Sequence, residues 1–180
     1  MTTAATSPDD GWLVVIDAQT LFADPDTSPW GSPMWATAVP RIRELAEAHG
    51  PARTILTRFV ADPGLGGSWV PYYEEWPFAL VPGTDPLYDV VPLLADLTEH
   101  VVTAGTFGKW PVLRDLVGDG ARLTVTGVAT DCCVISTALP AADAGATVRV
   151  VADCCAGSTP ENHERALEAM ALFGPQITIV

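Results

Sequence analysis

Six short apolar segments recur along this chain at the spacing of strands that alternate with helices, and they constrain the fold more than any other feature. Each is rich in Val, Ile, Leu or Thr and is bounded by Gly, Pro or Asp; the segments are 12–16, 53–57, 99–103, 122–126, 147–151 and 176–180. Their apolar character is continuous, which is typical of strands covered on both faces. Helical patterns between strands favour right-handed crossovers. The sequence therefore predicts a single-domain, three-layer α/β/α fold that is Rossmann-like, with a six-stranded, mainly parallel sheet.

The segments between the strands predict five helices, at 36–49, 87–97, 109–117, 131–145 and 158–173. Pro140 is expected to kink or split the fourth of these helices. Residues 59–86 form a long connection whose aromatic content argues against disorder. Residues 1–10 are small and polar and are predicted to be a flexible N-terminal tail, which leaves 11–180 as the domain.

Composition and charge exclude several classes of partner. The chain has 22 acidic residues against 9 Lys and Arg, a formal net charge of −13, which argues against nucleic acid and anionic membranes as partners. No apolar run reaches the roughly 18 to 20 residues that span a bilayer, and the first residues lack the features of a signal peptide. The four cysteines form two adjacent pairs, which does not indicate a disulfide framework. We expect a cytoplasmic protein that acts on a small molecule.

A cysteine pair opens the predicted helix that follows the fourth strand. Cys133 lies in the run GVATDCCV, where the helix dipole and free N–H groups favour thiolate and can hold an oxyanion. Cys132 is expected about 100° away around the helix, so that only one thiol faces a pocket. The residues alone do not decide which thiol that is. The alternative is that Cys133 is a small buried hydrophobic residue, the usual fate of a free cysteine.

Two charged residues are expected at the same edge of the sheet as Cys133. Asp17 closes the first strand and Lys109 follows the third, and ligands of parallel sheets bind beyond the carboxyl ends of the strands. We interpret Asp17 as a general base that takes the thiol proton, and Lys109 as a charge that holds the acid and the thiolate in place. The alternatives are a turn-forming or capping Asp and an ordinary solvated Lys.

Aromatic residues near these positions are candidates for the wall of a substrate pocket. The candidates are Phe22, Trp69, Tyr72, Trp76, Phe107 and Trp110. Packing in the core or at a subunit interface is the alternative for each of them. Cys154 and Cys155 follow the fifth strand, and two adjacent cysteines cannot complete a tetrahedral metal site, so we expect them to pack in the interior.

Four segments together resemble the isochorismatase-like cysteine hydrolase superfamily, which includes nicotinamidases and N-carbamoylsarcosine amidase. These segments are LVVIDAQTLF, TFGKW, GVATDCCV and VVADCCAGS. The resemblance implies an Asp17–Lys109–Cys133 catalytic triad, with Cys133 selected over Cys132 as the nucleophile. It also implies a cis peptide between Val128 and Ala129, an oxyanion site formed by the N–H groups of Ala129 and Cys133, and a homo-oligomer.

The resemblance further implies hydrolysis of an amide or ureido C–N bond through a thioester. Nicotinamidases carry metal-binding histidines after the second strand, but the corresponding stretch here is TRFVADPG, so neither a metal nor another cofactor is expected. The aromatic wall favours a neutral or modestly polar small amide. Two alternatives stay open: a hydrolase of a chorismate derivative, and a non-catalytic thiol redox domain.

Overall fold

A twisted, all-parallel sheet forms the centre of the molecule. The structure is a computed structural model that describes residues 11–180, so the predicted tail at 1–10 lies outside the described residues. Within that range six strands are paired in the order β3-β2-β1-β4-β5-β6. The strands are β1 (Trp12–Ile16), β2 (Thr54–Phe59), β3 (Val101–Ala104), β4 (Arg122–Val128), β5 (Thr147–Ala156) and β6 (Ile177–Ile179). The predicted three-layer fold with a six-stranded parallel sheet is confirmed.

Helices cover both faces of the sheet. They are α1 (Thr20–Ala23), α2 (Trp35–His49), α3 (Trp69–Glu75), α4 (Trp110–Val117), α5 (Ile135–Asp143) and α6 (Pro160–Ala171). The last of these begins after Thr159, whose hydroxyl accepts a hydrogen bond from the N–H of Asn162 at 3.1 Å, with a proline in its first turn. Such a cap and an N-terminal proline are the ordinary start signals of a helix.

Alternation along the central strands divides the apolar core in two. Leu13 and Val15 of β1 point into the core that α2 covers, while Val14 and Ile16 point into the core that α4, α5 and α6 cover. All four side chains are fully buried. Burial of a Val, Leu or Ile side chain contributes about 1.5–3 kcal/mol, so this strand alone is a large part of what holds the layers together.

The strand order reverses between β1 and β4, and this reversal positions the site. The chain builds outward from β1 to β2 and β3 on one side, then returns to β4 and continues to β5 and β6 on the other. Crossovers leave in opposite directions at such a switch point, so a crevice opens beyond the carboxyl ends of the two strands. Asp17 follows β1 directly, and the run that contains Cys133 follows β4 directly.

Two helix predictions are corrected by the structure. The predicted helix at 87–97 is wrong, because this stretch has only a 3₁₀ turn at Pro86–Tyr88 followed by turns. The N–H of Val91 donates to the carbonyl of Ala18 at 2.9 Å, and Pro92 has no N–H to give to a helix. The predicted helix at 131–145 splits, but at a π-helical turn over Thr130–Val134 rather than at Pro140, which lies inside α5.

The long connection after β2 is ordered by its aromatic residues. It contains α3 and a 3₁₀ turn at Pro77–Ala79, and the hydroxyl of Tyr88 donates to the carbonyl of Ala79 while it accepts from the N–H of Ala61. No helix in the described part of the chain is long and apolar enough to cross a membrane.

Candidate active site

Asp17 lies in the crevice at the end of β1 and is completely buried. Its φ of 45° is in the left-handed region, which Asp tolerates better than most residues. Its N–H donates to Oγ1 of Thr57 at 3.0 Å, and that hydroxyl donates in turn to Oδ1 of Asp17 at 2.6 Å. Oδ2 is the only buried side-chain nitrogen or oxygen of residues 11–180 without a hydrogen-bond partner. Oδ1 of the carboxylate is therefore fixed by Thr57, and Oδ2 is left to face Lys109.

Lys109 places a positive charge against that oxygen. Its Nζ lies 2.8 Å from Oδ2 of Asp17, and neither side chain is exposed to solvent. The same Nζ donates hydrogen bonds to the carbonyls of Thr106 and Phe107 at 2.6 and 2.9 Å. Burial acts to lower the pKa of Lys109, but the charges of Asp17 and Cys133 outweigh it and raise the pKa above its ordinary value. The ammonium group therefore stays charged and forms a buried ion pair with Oδ2.

Cys133 lies in the π-helical turn and is 2% exposed. A hydrogen bond with Cys132, burial and the charge of Asp17 together hold the pKa of Cys133 well above its ordinary value, while Lys109 opposes them. The contact with Cys132, burial and the charge of Asp17 therefore act against the thiolate that the helix start favours. A sulfur that rests as thiol needs a base before it can attack.

Close backbone packing brings the nucleophile turn against Asp17. Gly127 pairs with Ile16 and has a φ of 110°, and a Cβ at this position would lie 2.1 Å from the carbonyl oxygen of Ile16. Only glycine fits such an approach. The Val128–Ala129 peptide that follows is cis. The end of β4 can therefore pack directly against the strand that carries the acid.

Thr137 connects the turns that hold Lys109 and Cys133. Its Oγ1 donates to the carbonyl of Cys133 at 2.7 Å and accepts from the N–H of Lys109 at 3.0 Å. This side chain is fully buried. A single hydroxyl therefore fixes the start of α4 relative to the start of α5, and the three predicted catalytic residues share one buried network.

A cavity of about 300 Å³ opens above this network. Six aromatic residues form most of its wall: Phe22, Trp30, Phe59, Tyr72, Trp76 and Phe107. The nucleophile turn forms its floor, with Ala129, Cys132 and Cys133 among the lining residues. Cys132 and Cys133 are both among the residues that line the cavity, although a spacing of about 100° around the helix predicts that only one of them faces it. The volume is that of a site for a small molecule.

The structure separates the six aromatic candidates into three groups. Phe22, Tyr72, Trp76 and Phe107 line the cavity. Trp69 lies behind this wall, with its ring 4.9 Å from that of Phe107 and 5.3 Å from that of Tyr72. Trp110 packs in the core on the opposite face of the sheet and does not line the cavity. Trp110 is the first residue of α4 and one of the two residues that this helix buries in that core.

Sequence reasoning missed several residues of the site. Trp30 is central to the wall, since its ring lies 5.8 Å from those of Phe59 and Tyr72 and 4.8 Å from that of Phe78. It precedes α2 in an irregular segment without a periodic pattern, so no sequence signal identified it. Thr57 could have been predicted from the sequence, because it ends the predicted second strand at the edge of the sheet where Asp17 lies.

No group of three or more His, Cys, Asp or Glu side chains within 11–180 is arranged to hold a metal ion. The segment after β2, in which the resemblance to nicotinamidases would place metal ligands, supplies Asp62 but no histidine. Oδ1 of Asp62 instead accepts a hydrogen bond from the N–H of Gly64 at 2.8 Å. The residues present therefore do not fit a metal centre at this position. All four cysteines are free thiols.

Comparison with known proteins agrees with this architecture. The cysteine hydrolase from Pseudomonas syringae pv. phaseolicola is 20% identical with a TM-score of 0.78, over 96% of this chain and 90% of that one. The pyrazinamidase/nicotinamidase from Streptococcus mutans is 23% identical with a TM-score of 0.67, over 93% and 98%. The zinc-bound pyrazinamidase from Pyrococcus horikoshii is 25% identical with a TM-score of 0.68, over 93% and 97%.

A search of curated proteins returns no significant match. The sequence model of the isochorismatase domain, however, matches residues 11–179, which is nearly the whole chain. That match covers both strands of the switch point and all three residues of the buried network. The chain therefore belongs to the isochorismatase-like family of hydrolases.

Proposed function

We propose that this protein is a cysteine-dependent amidase, which hydrolyses an amide or ureido C–N bond of a small molecule through a thioester on Cys133. The observation that carries the proposal is the buried Asp17 carboxylate, whose Oδ2 is held by the ion pair with Lys109 and whose charge acts on the thiol of Cys133. A base beside a protonated sulfur is what thiol activation requires.

The first half of the reaction forms the acyl-enzyme. Asp17 takes the proton of Cys133 on Oδ2, and the thiolate attacks the carbonyl carbon of the substrate. The N–H groups of Ala129 and Cys133 stabilise the oxyanion of the tetrahedral intermediate. Asp17 then gives its proton to the departing nitrogen, so the C–N bond breaks, ammonia or an amine leaves, and a thioester remains.

The second half regenerates the enzyme with water. Asp17 takes a proton from a water molecule as that water attacks the thioester carbon. The C–S bond breaks, the acid product leaves, and the proton returns from Asp17 to the sulfur of Cys133. Lys109 holds the Asp17 carboxylate in place between these transfers, because its Nζ lies 2.8 Å from Oδ2 and is anchored by two backbone carbonyls.

The charge of the cavity favours an amide over the chorismate alternative. Its lining contains neither Lys nor Arg, and a dicarboxylate in an apolar site needs such partners. Arg58 directs its guanidinium to the carbonyls of Tyr88 and Gly83. The similar pyrazinamidases are named for small aromatic amides, and the aromatic wall here suits a compact, uncharged amide group.

Single-residue variants test the proposal. Cys133→Ala is expected to abolish release of ammonia from a panel of small amides and ureides, with an unchanged circular dichroism spectrum. Cys132→Ala is the matched control, because it removes the neighbouring thiol and is expected to retain turnover. Asp17→Asn is expected to bind substrate without turning it over. Equal loss of activity in both cysteine variants, or near-normal activity of Asp17→Asn, would contradict the assigned roles.

A further inference from the structure

The cavity carries a single charged side chain, and that charge is negative. Asp131 is the only Asp, Glu, Lys or Arg among the residues that line it. Burial raises the pKa of Tyr72, so its phenol is neutral and adds no second charge to the wall. A site of this composition repels an anionic substrate and favours a positive one.

The carboxylate of Asp131 is held rigidly without being neutralised. Its Oδ1 accepts from the N–H of Ser158 at 2.8 Å, and its Oδ2 accepts from the hydroxyl of the same serine at 2.6 Å. Both donors are uncharged, and within residues 11–180 Asp131 takes part in no ion pair. A carboxylate has about four lone-pair positions, so two hydrogen bonds leave it able to accept more.

The buried ion pair below the floor does not offset this charge. Asp17 and Lys109 neutralise each other at 2.8 Å and are closed to solvent. The net charge that a bound molecule meets is therefore that of Asp131. Asp131 and Cys133 are both among the residues that line the cavity, so the carboxylate and the reacting sulfur belong to one site.

The aromatic wall has the chemistry to receive a cation. The faces of Trp, Tyr and Phe rings attract ammonium groups, most strongly where water is excluded. Trp30 packs against both Tyr72 and Trp76, with ring centroids 5.8 and 6.0 Å apart, and all three line the cavity. Electron-rich faces and a fixed carboxylate occur together in this one site.

We propose that the substrate is a small cationic amide, in which a protonated or quaternary amine lies against the aromatic wall and is attracted by Asp131. This inference rests on the proposed amidase function, since it places the amide carbon at Cys133. It revises the neutral amide that the sequence indicated, because the carboxylate in the cavity wall was not recognised there.

A matched pair of amides tests the inference. The first is glycine betaine amide, which carries a trimethylammonium group; the second is its carbon analogue, in which a tert-butyl group replaces that cation with the same shape. We expect kcat/KM for the cation to exceed that for the neutral analogue by about tenfold or more. We also expect the preference to fall as salt is added. An equal or greater kcat/KM for the neutral compound would overturn the inference and leave the amidase function standing.

Binding to Cys133→Ala, measured by calorimetry, separates the two claims. Tighter binding of the cation with no turnover of either amide by the wild type supports the cationic site and counts against the amidase function. Absence of binding and turnover for both compounds overturns the inference.

Asp131→Asn is expected to remove most of the preference for the cationic amide over the neutral one. Asp153→Asn is the control, since it deletes an equal charge that pairs with Arg41 outside the cavity. A preference unchanged in Asp131→Asn would also overturn the inference.

Discussion

The hydroxyl of Thr57 is the most informative single group to remove, because it bonds the candidate base twice. Thr57→Val keeps the shape of the side chain and deletes only the hydroxyl, so it introduces no cavity. The variant loses the 2.6 Å bond to Oδ1 of Asp17 and leaves the N–H of Asp17 without its 3.0 Å acceptor. All of these groups are completely buried.

The expected cost follows from these two losses. A hydrogen bond to a charged group contributes about 1.5–3 kcal/mol, and a buried N–H left unpaired costs about 1–3 kcal/mol. The two terms overlap, so we expect the free energy of unfolding to fall by about 2–4 kcal/mol. A carboxylate that is free to turn away from the thiol is expected to lower kcat by about 10-fold to 100-fold.

Urea unfolding measures the first effect, and both turnover and the rate of Cys133 alkylation by iodoacetamide measure the second. Thr126→Val is the matched control: this threonine is equally buried, but its hydroxyl makes only a 3.4 Å contact to the carbonyl of Val14. Thr57→Ser retains the hydroxyl and is expected to recover most of both properties. Wild-type stability and alkylation rate in Thr57→Val would refute the assignment of this hydroxyl.

Three further variants and treatments probe other parts of the network. Gly127→Ala should lower the free energy of unfolding by about 3 kcal/mol or more. Gly120 is the control, because it also has a positive φ but no atom within 4 Å of a Cβ, so Gly120→Ala should lower the free energy of unfolding by only about 1–2 kcal/mol. Equal losses in the two variants would contradict the close approach of β4 to β1. Lys109→Met should lower stability by about 3–5 kcal/mol at neutral pH. The pKa of Lys109 is raised in the folded protein, so the loss of stability in Lys109→Met should persist up to pH 10.5, the ordinary pKa of lysine. It should shrink only as pH rises through the folded pKa of Lys109. A loss of stability that already shrinks well below pH 10.5 would contradict the ion pair. Iodoacetamide should modify Cys133 in the folded protein and Cys155 only after unfolding, because Cys133 lines the cavity whereas Cys155 is buried outside it; peptide mapping that finds Cys155 modified first would contradict this.

Much of the fold could be predicted because the strands are locally encoded. Continuous apolar runs located all six strands; β1, β2 and β4 are buried along most of their length, as such runs predict, whereas the edge strand β3 is exposed or half-buried. The positions at which the strands end were predicted less well. The fifth strand was expected to end at residue 151, but β5 extends to Ala156. Its last residues, Cys155 and Ala156, pair with Gly127 and Val128 of β4. Such pairing depends on a neighbour distant in the chain, and the local sequence does not contain it.

The sheet edge at which the site lies could be predicted, and so could four residues of the cavity wall, Phe22, Tyr72, Trp76 and Phe107; Asp131 was not recognised. Asp17, Lys109 and Cys133 each follow a predicted strand, so the parallel topology alone brings them to one edge. Trp30 and Ser158 belong to irregular segments, and only the three-dimensional structure brings them to the cavity. Homo-oligomer formation and a cytoplasmic location stay predictions, to be tested by light scattering and fractionation.

Acyl-enzyme capture tests the central claim most directly. Wild-type protein is mixed with small amides and ureides, glycine betaine amide included, quenched in acid and measured as intact protein before peptide mapping. We predict a mass increase equal to the acyl part of the substrate, located on Cys133 and retained in Cys132→Ala. Turnover of an amide that leaves no adduct on Cys133, and that continues in Cys133→Ala, would contradict the account.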